Sequence, residues 1–549
     1  MISNINSIFN MKRNIYGLAA LLLAGIALPA CEDLDTAPEG STITSEQKDA
    51  VYTNNPERSL SAITSIFSQM TAYMPNYDAI SREAHSDFGY PSIMAFNDRL
   101  GEDMVTIYTG YNWFSNSLTY TNHVYGQYNS TIIWNDLYSY IFSSNNVISA
   151  FNVSSESTDA ELDALSTDYK FSVAQAFAMR AFSYFNLVQL YAFNVVGHGS
   201  DLAVPIITEQ NAEEVAVEGA LLSTVDDVYA LIYADLKKAI YLLEQAEDDG
   251  YARPDKRYID LATAYGIRAR VNLVAQKYED AAADANAAIE ITDAEPASID
   301  DVSKPYFSSL DEGNWLWGIK IAETDDVVNS GIVNYPSHCY TLNYGYANYS
   351  GASQISKKLF NSISETDVRR GWWIDEDGVS ANLNAEQQGF MTDYGYAPYT
   401  VCKFAPYKNV VGTATSANDI PLLRVEELYL IKAEAENSVA VLNDFVKTYR
   451  DPEYNFTGDD LKKEIWRQRR IEFWGEGLNW FDVMRFGQGF DRRGAGFASN
   501  YVYVVSGTDG ILLWPVPESE VEANKALKNA GYTYTYSRPK SVPDLDIEL

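Results

Sequence analysis

The densest group of side chains able to do acid–base chemistry lies between positions 469 and 485: Arg469, Arg470, Glu472, Glu476, Asp482 and Arg485. Arg469 and Glu472 stand three residues apart, as do Asp482 and Arg485. On a helix that spacing puts each pair on one face, where the charges satisfy one another. A carboxylate in guanidinium company keeps a low pKa and is a poor general acid. The cluster is therefore expected to be structural, and no catalytic residue is assigned. His85, His123, His198 and His338 have no partners that the sequence identifies. The chain contains no Gly-x-Ser-x-Gly, His-Glu-x-x-His or Gly-x-x-x-x-Gly-Lys motif and no Cys/His zinc spacing. Asp375-Glu376-Asp377-Gly378 hints at a calcium loop but lacks the ligands that should follow. No metal ligand or cofactor is assigned, and a structural calcium ion stays open.

Binding chemistry is better provided for. The chain has 40 Tyr and 10 Trp, side chains that join a large apolar face to a polar tip and concentrate where a surface grips something. Tyr111, Trp113, Tyr340, Tyr344, Tyr346 and Trp372 fall in Tyr-, Asn-, Gly- and Ser-rich stretches of weak periodicity and are the candidate ligand contacts. Trp315 and Trp317 read instead as strand core. Cys339 and Cys402 can pair or stay free; sequence does not decide.

These stretches need a scaffold, and the rest of the chain reads as helix. Phe171, Ala174, Ala178, Ala181, Phe185 and Val188 draw one apolar stripe. Val225, Tyr229, Ile232, Leu236, Ala239 and Leu243 draw another, with Ser223 and Asp226 placed as its N-terminal cap. Ala264–Val274, a turn at Gln276-Lys277 and Tyr278–Ala288 have the small-residue spacing of a tetratricopeptide hairpin. Similar helices recur at 134–148 and 426–437. The expected architecture is mainly α: a tetratricopeptide-like helical scaffold, chiefly 130–292 and 421–487, with loop-rich insertions at 76–128 and 323–420. Asn314–Ile321 and Tyr501–Val505 are strand candidates for a small β element.

The N-terminus supplies an address. Lys12-Arg13 precedes an apolar run, Ile15–Leu28, whose helical length of about 21 Å falls short of the ~30 Å hydrocarbon layer. This is the pattern of a signal peptide over 1–30, with Met11 an alternative start. The run ends in Leu28-Pro29-Ala30-Cys31, which resembles a bacterial lipobox, so Cys31 is the expected lipidation site. Acyl chains there anchor stably at ~0.8 kcal/mol per buried CH₂. An acidic tether, 31–50, and a single domain, 51–549, follow. With 40 Lys+Arg against 75 Asp+Glu, the formal charge is −35, which repels phosphate polymers and excludes nucleic acid as a partner.

The stretch Arg469-Arg470-Ile471-Glu472-Phe473-Trp474-Gly475-Glu476-Gly477, continued by Trp480-Phe481-Asp482 and Arg485, resembles the C-terminal signature of the SusD/RagB family of outer-membrane nutrient-binding lipoproteins. Trp134 with Tyr138 and Asn145, Arg180-Ala181-Phe182, Asp367-Val368-Arg369, Lys403-Phe404, Arg424-Val425-Glu426-Glu427 and Trp514-Pro515-Val516-Pro517 agree in order along the chain. The resemblance implies a SusD-like fold and a binding protein rather than an enzyme. Such a protein sits lipid-anchored on the outer membrane facing the exterior, captures a glycan and delivers it to a SusC-like TonB-dependent transporter. A peptide-binding, RagB-like receptor is the alternative. An extracellular glycoside hydrolase, needing two carboxylates about 5 or 6.5–9.5 Å apart, is the remaining one.

Overall fold

The computed structural model describes residues 57–106, 113–330, 333–349, 352–534 and 537–545. The signal segment, the tether, Cys31 and Tyr111 lie outside these residues. The longer helices are α1 (Glu57–Gln69), α2 (Tyr90–Leu100), α3 (Tyr128–Ala150), α4 (Thr167–Tyr191), α5 (Val225–Asp248), α6 (Leu261–Val274), α7 (Tyr278–Ile291), α8 (Val425–Ala435), α9 (Val439–Tyr449), α10 (Leu461–Glu472) and α11 (Asn479–Phe486). Val51–Leu549 forms one unit.

Helix α4 is the axis. It packs on α3 and α5, and every residue from Phe171 to Tyr191 is buried. One apolar stripe understates it, because a helix enclosed on all sides needs partners for its polar residues as well. The Gln175 amide pairs with the Ile259 backbone in both directions, at 2.6 and 2.8 Å. Arg180 donates to both Asp235 oxygens at 2.7 Å and to Asn145 at 2.7 Å. An unpaired buried guanidinium would be costly, and this one is saturated.

The α6–α7 hairpin turns at Gln276, whose φ is +55°, and Ala281, Ala285 and Ala288 are fully buried. Small residues there let the axes approach closely, as the alanine spacing predicts. Helix α5 starts one residue later than the expected cap. Thr224 accepts from Asp227 N at 3.2 Å, because the Ser223 backbone is engaged with Ala203 and Val204.

Among the described residues, three short antiparallel ladders stand in place of a single sheet: β1 (Met104–Thr106) with β3 (Ser353–Ile355), β2 (Trp315–Ile319) with β4 (Ile420–Arg424), and β5 (Phe490–Asp491) with β6 (Val504–Val505). Trp315 and Trp317 lie in the core as expected. The strand expected over 501–505 is confined to Val504–Val505.

The insertion at 76–128 is not all loop. It contains α2, eleven residues that are all buried. Its Tyr, Ser and Asn content hides the helix, yet Pro91 in the first turn and Gly89 before it mark the start. Gly89 has φ +82°, and a Cβ there would stand 2.3 Å from Met70 O, so only glycine lets α2 enter against the end of α1. Among its described residues the 323–420 segment carries short helical turns, a nine-residue helix (Ala385–Asp393) and the strand β3.

Candidate functional site

The candidate site grows from the two ends of the buried helix α2 and from the short helix Tyr335–Cys339. His85 lies in the turn before α2, and Trp113 lies beyond β1. Tyr346 is set by Gly345, where a Cβ would meet Ser337 Oγ at 2.7 Å and Ser337 O at 2.9 Å. Glycine therefore allows the chain to cross over the Tyr335–Cys339 helix, and Tyr346 N donates to Ser337 Oγ at 3.3 Å.

The rings converge. His85 stacks on Trp113 with centroids 4.4 Å apart and planes at 29°. Tyr346 stands edge-on to His85 at 5.6 Å and to Trp113 at 6.4 Å, and its hydroxyl shares a hydrogen bond with His85 Nδ1. His338 lies flat against Tyr346 at 4.7 Å and 11°, and is itself held by Phe88 and Phe114. His85, Trp113 and Tyr346 are each half-buried, so the group forms a partly exposed ledge braced on its underside.

Charge is absent from the rings. Burial lowers the His85 pKa against the opposing field of Glu83, and burial holds His338 well below the ordinary histidine value. Both imidazoles are neutral near pH 7, which suits a ligand without charge. Tyr73, 36% exposed, stands near enough for its phenol to raise Tyr346 after burial has done so. It also lines a cleft of ≈ 440 Å³ between α1 and Arg257, Lys320 and Asp325.

The segment 340–349 deals its tyrosines in three directions. Tyr346 goes to the ledge. Tyr344 faces Tyr394 at 6.2 Å, and Tyr394, 41% exposed, faces Phe390 at 4.7 Å. This second row adjoins Asn348, which donates to Tyr396 Oη at 2.7 Å. Tyr340 goes inward: it is fully buried, parallel to Phe404 at 4.3 Å. Trp372 is 1% exposed, edge-on to Phe307 at 5.5 Å, and donates from Nε1 to Val302 O at 2.9 Å. Tyr340 and Trp372 are thus corrected from ligand contacts to core anchors, since a ring with no exposed face has nothing to offer a ligand. Trp113, Tyr344 and Tyr346 are partly exposed, and Tyr111 and Cys31 are outside the described residues.

Trp372→Ala is accordingly expected to lower stability by about 3–5 kcal/mol, and to leave ligand affinity of the folded fraction unchanged. Thermal unfolding and affinity on the same sample separate the two effects.

The signature carboxylates offer no active site. Glu472, fully buried, accepts from Arg450 Nε and Nη2 at 2.8 Å each, Arg424 Nη1 at 3.1 Å and Arg369 Nη1 at 3.2 Å. Burial works against its charge, but these guanidiniums outweigh burial and hold it well below the ordinary glutamate value. Glu476 accepts from Lys403 at 2.6 Å and Arg424 at 2.9 Å. The expected Asp482–Arg485 pair forms at 2.7 Å. The expected Arg469–Glu472 pair does not: Arg469 turns to Asp482 at 2.7 Å and Glu427 at 3.3 Å, because arginines from three other segments already occupy Glu472.

A different pair is frustrated. Asp87 and Asp136, 0% and 4% exposed, share the Asn76 amide at 3.1 and 2.8 Å. Burial raises Asp87 to about 6, and burial together with Asp87 raises Asp136 well above its ordinary value. An acid whose folded pKa is raised has its most favourable contribution below the unfolded value and loses it as pH rises through the folded one. Asp136→Asn should therefore raise stability at pH 8 by about 1 kcal/mol or more, with the gain vanishing near pH 4. Urea melts at the two pH values check this; an equal shift at both would contradict it.

Among the described residues, no three His, Cys, Asp or Glu side chains are placed to hold a metal ion, and Asp375 caps its own turn through Asp377 N and Val379 N. Cys339 and Cys402 are free and buried. Among the described residues, no helix is long and apolar enough to cross a membrane.

Two family models match the chain. Residues 84–273 match a SusD-like family described as starch-binding and associating with the outer membrane, and residues 340–534 match the SusD family. The chain belongs to the SusD/RagB family. His85 and Trp113 come from the first SusD match and Tyr346 from the second. A SusD-like protein of Formosa agariphila is 24% identical over 65% of this chain and 74% of its own. A SusD-like carbohydrate-binding protein of Bacteroides vulgatus superposes with TM-score 0.65 at 22% identity, covering 86% of this chain and 97% of that one. A laminarin-binding SusD-like protein superposes with TM-score 0.57 at 16% identity, covering 85% and 98%. The mainly helical, tetratricopeptide-like fold expected from the sequence is the fold of these SusD-like structures.

Proposed function

We propose that this SusD/RagB-family protein is a surface receptor that captures a neutral glycan and passes it to a TonB-dependent outer-membrane transporter, tethered by lipid at Cys31. The observation that carries the reading is the uncharged ring ledge of His85, Trp113 and Tyr346. Sugar C–H faces pack on such rings, while amide, hydroxyl and imidazole groups take the sugar hydroxyls. An open ledge of this kind is expected to bind at µM to mM, about −8 to −4 kcal/mol. That strength suits hand-over, because a ligand held much more tightly would not leave for a neighbouring pore. The carbohydrate-binding and laminarin-binding relatives support the ligand class without naming the sugar here.

A glycan array probed with protein lacking residues 1–31 tests the reading. Retention on one family of neutral glycans is the expected result. No retention on any glycan at millimolar equivalents, or retention of peptides alone, would replace it, and steady release of reducing sugar by the purified protein would turn it into an enzyme. Labelling with palmitate, lost in Cys31→Ala, tests the anchor.

A further inference from the structure

A second opening borders the β1–β3 ladder, a cleft of ≈ 690 Å³ between that ladder, the Tyr399 loop and the segment around Phe497. Its volume lies in the range of small-molecule sites, roughly 300–1,000 Å³. Phe497 is buried in its floor, and Tyr399 and Tyr501 are half-buried at its walls. Gln354, Asn500 and Lys357 bring an amide, a second amide and an ammonium to the same space. An apolar floor with rings at the sides and a few convergent donors and acceptors is the chemistry that recognises a pyranose.

Tyr399 is held in an unusual conformation for this position. Its φ is +69°, a left-handed geometry that a tyrosine rarely adopts. The backbone is fixed there by hydrogen bonds from Tyr399 N to Ile374 O at 2.8 Å and from Ile355 N to Tyr399 O at 3.0 Å. The ring is braced edge-on by Phe360 at 5.1 Å, with Lys357 Nζ 5.6 Å from its centre. Residues kept in costly conformations cluster at ligand-holding positions.

The cleft and the ledge share a frame. His338 beneath the ledge packs on Phe114 at 5.1 Å, Arg99 lies over Phe114 at 4.7 Å, and Arg99 Nη2 donates to Ser353 Oγ at 3.2 Å. Ser353 is the neighbour of Gln354, which lines the cleft. Three consecutive contacts thus tie the frame of one opening to that of the other.

We propose that this cleft is a second saccharide subsite, so that the ligand is a chain of several sugar residues engaged at the ledge and at the Tyr399–Tyr501 cleft together. The inference rests on the glycan reading of the ledge. The test uses neutral oligosaccharide ladders of two to eight residues prepared from laminarin, starch and mannan, with affinity measured by calorimetry. Wild-type protein should gain about tenfold or more in affinity from the short to the long members of the ladder it binds. Ala498→Trp, which places a large ring in the cleft at an exposed position, should abolish that gain while leaving the shortest binding member unchanged. Asn500→Ala should reduce the gain without adding bulk. Trp113→Ala should weaken every length alike. A length dependence that survives both cleft variants overturns the second subsite and leaves the ledge standing. Failure of the wild-type protein to bind any ladder overturns the glycan reading itself, and this inference with it.

Discussion

Glu472→Ala is expected to lower Tm by about 5 °C or more, the consequence of about 3–5 kcal/mol lost when one partner of a buried ion pair is removed. The reason is the number of charges left behind. Glu472 alone faces Arg369, Arg424 and Arg450, each with a side chain at most 1% exposed. Glu426 also meets Arg424 and Arg450, at 3.0 Å each, so part of the field is shared and the effect stops short of complete unfolding. Glu472→Gln keeps the volume and one acceptor and should fall between wild type and the alanine variant. Circular dichroism melts of the three proteins give the order. A Glu472→Ala melt within a degree or two of wild type would show that the guanidiniums are adequately held by Glu426, Glu476 and Asp367.

The second large effect concerns binding. Trp113→Ala should weaken glycan affinity about tenfold or more, some 1.4 kcal/mol or beyond. The substitution removes one ring of the ledge and also frees His85, whose flat stacking on Trp113 at 4.4 Å helps aim it at Tyr346. Tyr346→Ala should cost a similar amount, and because the two rings meet His85 together, the double variant should fall short of the sum of the singles. Stability should change little, since Trp113 is half-buried rather than enclosed. Unchanged affinity in Trp113→Ala, Tyr346→Ala and Tyr344→Ala alike would move the site away from this ledge.

The two variants with indole rings make the useful contrast. Trp113 and Trp372 sit in stretches of similar composition, both expected at the surface, and they part company in the fold. Trp372 is followed by Trp373 and flanked by Arg369 and Arg370, and the buried pairing of Arg369 with Asp367 and Glu472 draws that whole turn inward. The Asp367–Arg369 pair is local, but nothing in the local composition announces that it is buried, because the second acid on Arg369, Glu472, lies 103 positions away. Tyr340 is likewise claimed by Phe404. His85 and His338 were without identified partners in one dimension, and each becomes part of the site through a tyrosine; for His85 and Tyr346 the separation is 261 residues.

Helix α2 was hidden for a related reason. Its sequence is polar enough to pass for loop, and it is helical because α3, α11, the Tyr335–Cys339 helix and the signature turn at Gly477 pack against it, with Asp98 accepting from Gly477 N at 3.1 Å. By contrast, the α4, α5 and α6–α7 segments, and the β2 strand, were legible from periodicity alone, and their bounds differ from expectation by a few residues. The charge balance, the lipobox-like run to Cys31 and the Arg–Glu signature were equally plain, being properties of composition and of short spacing. Periodicity, charge and short motifs are written within one or two turns of backbone, so they survive reading in a line. Which rings face solvent, which acids share one amide and which arginines meet Glu472 depend on side chains far apart in the chain competing for the same space, and that competition is resolved only by packing.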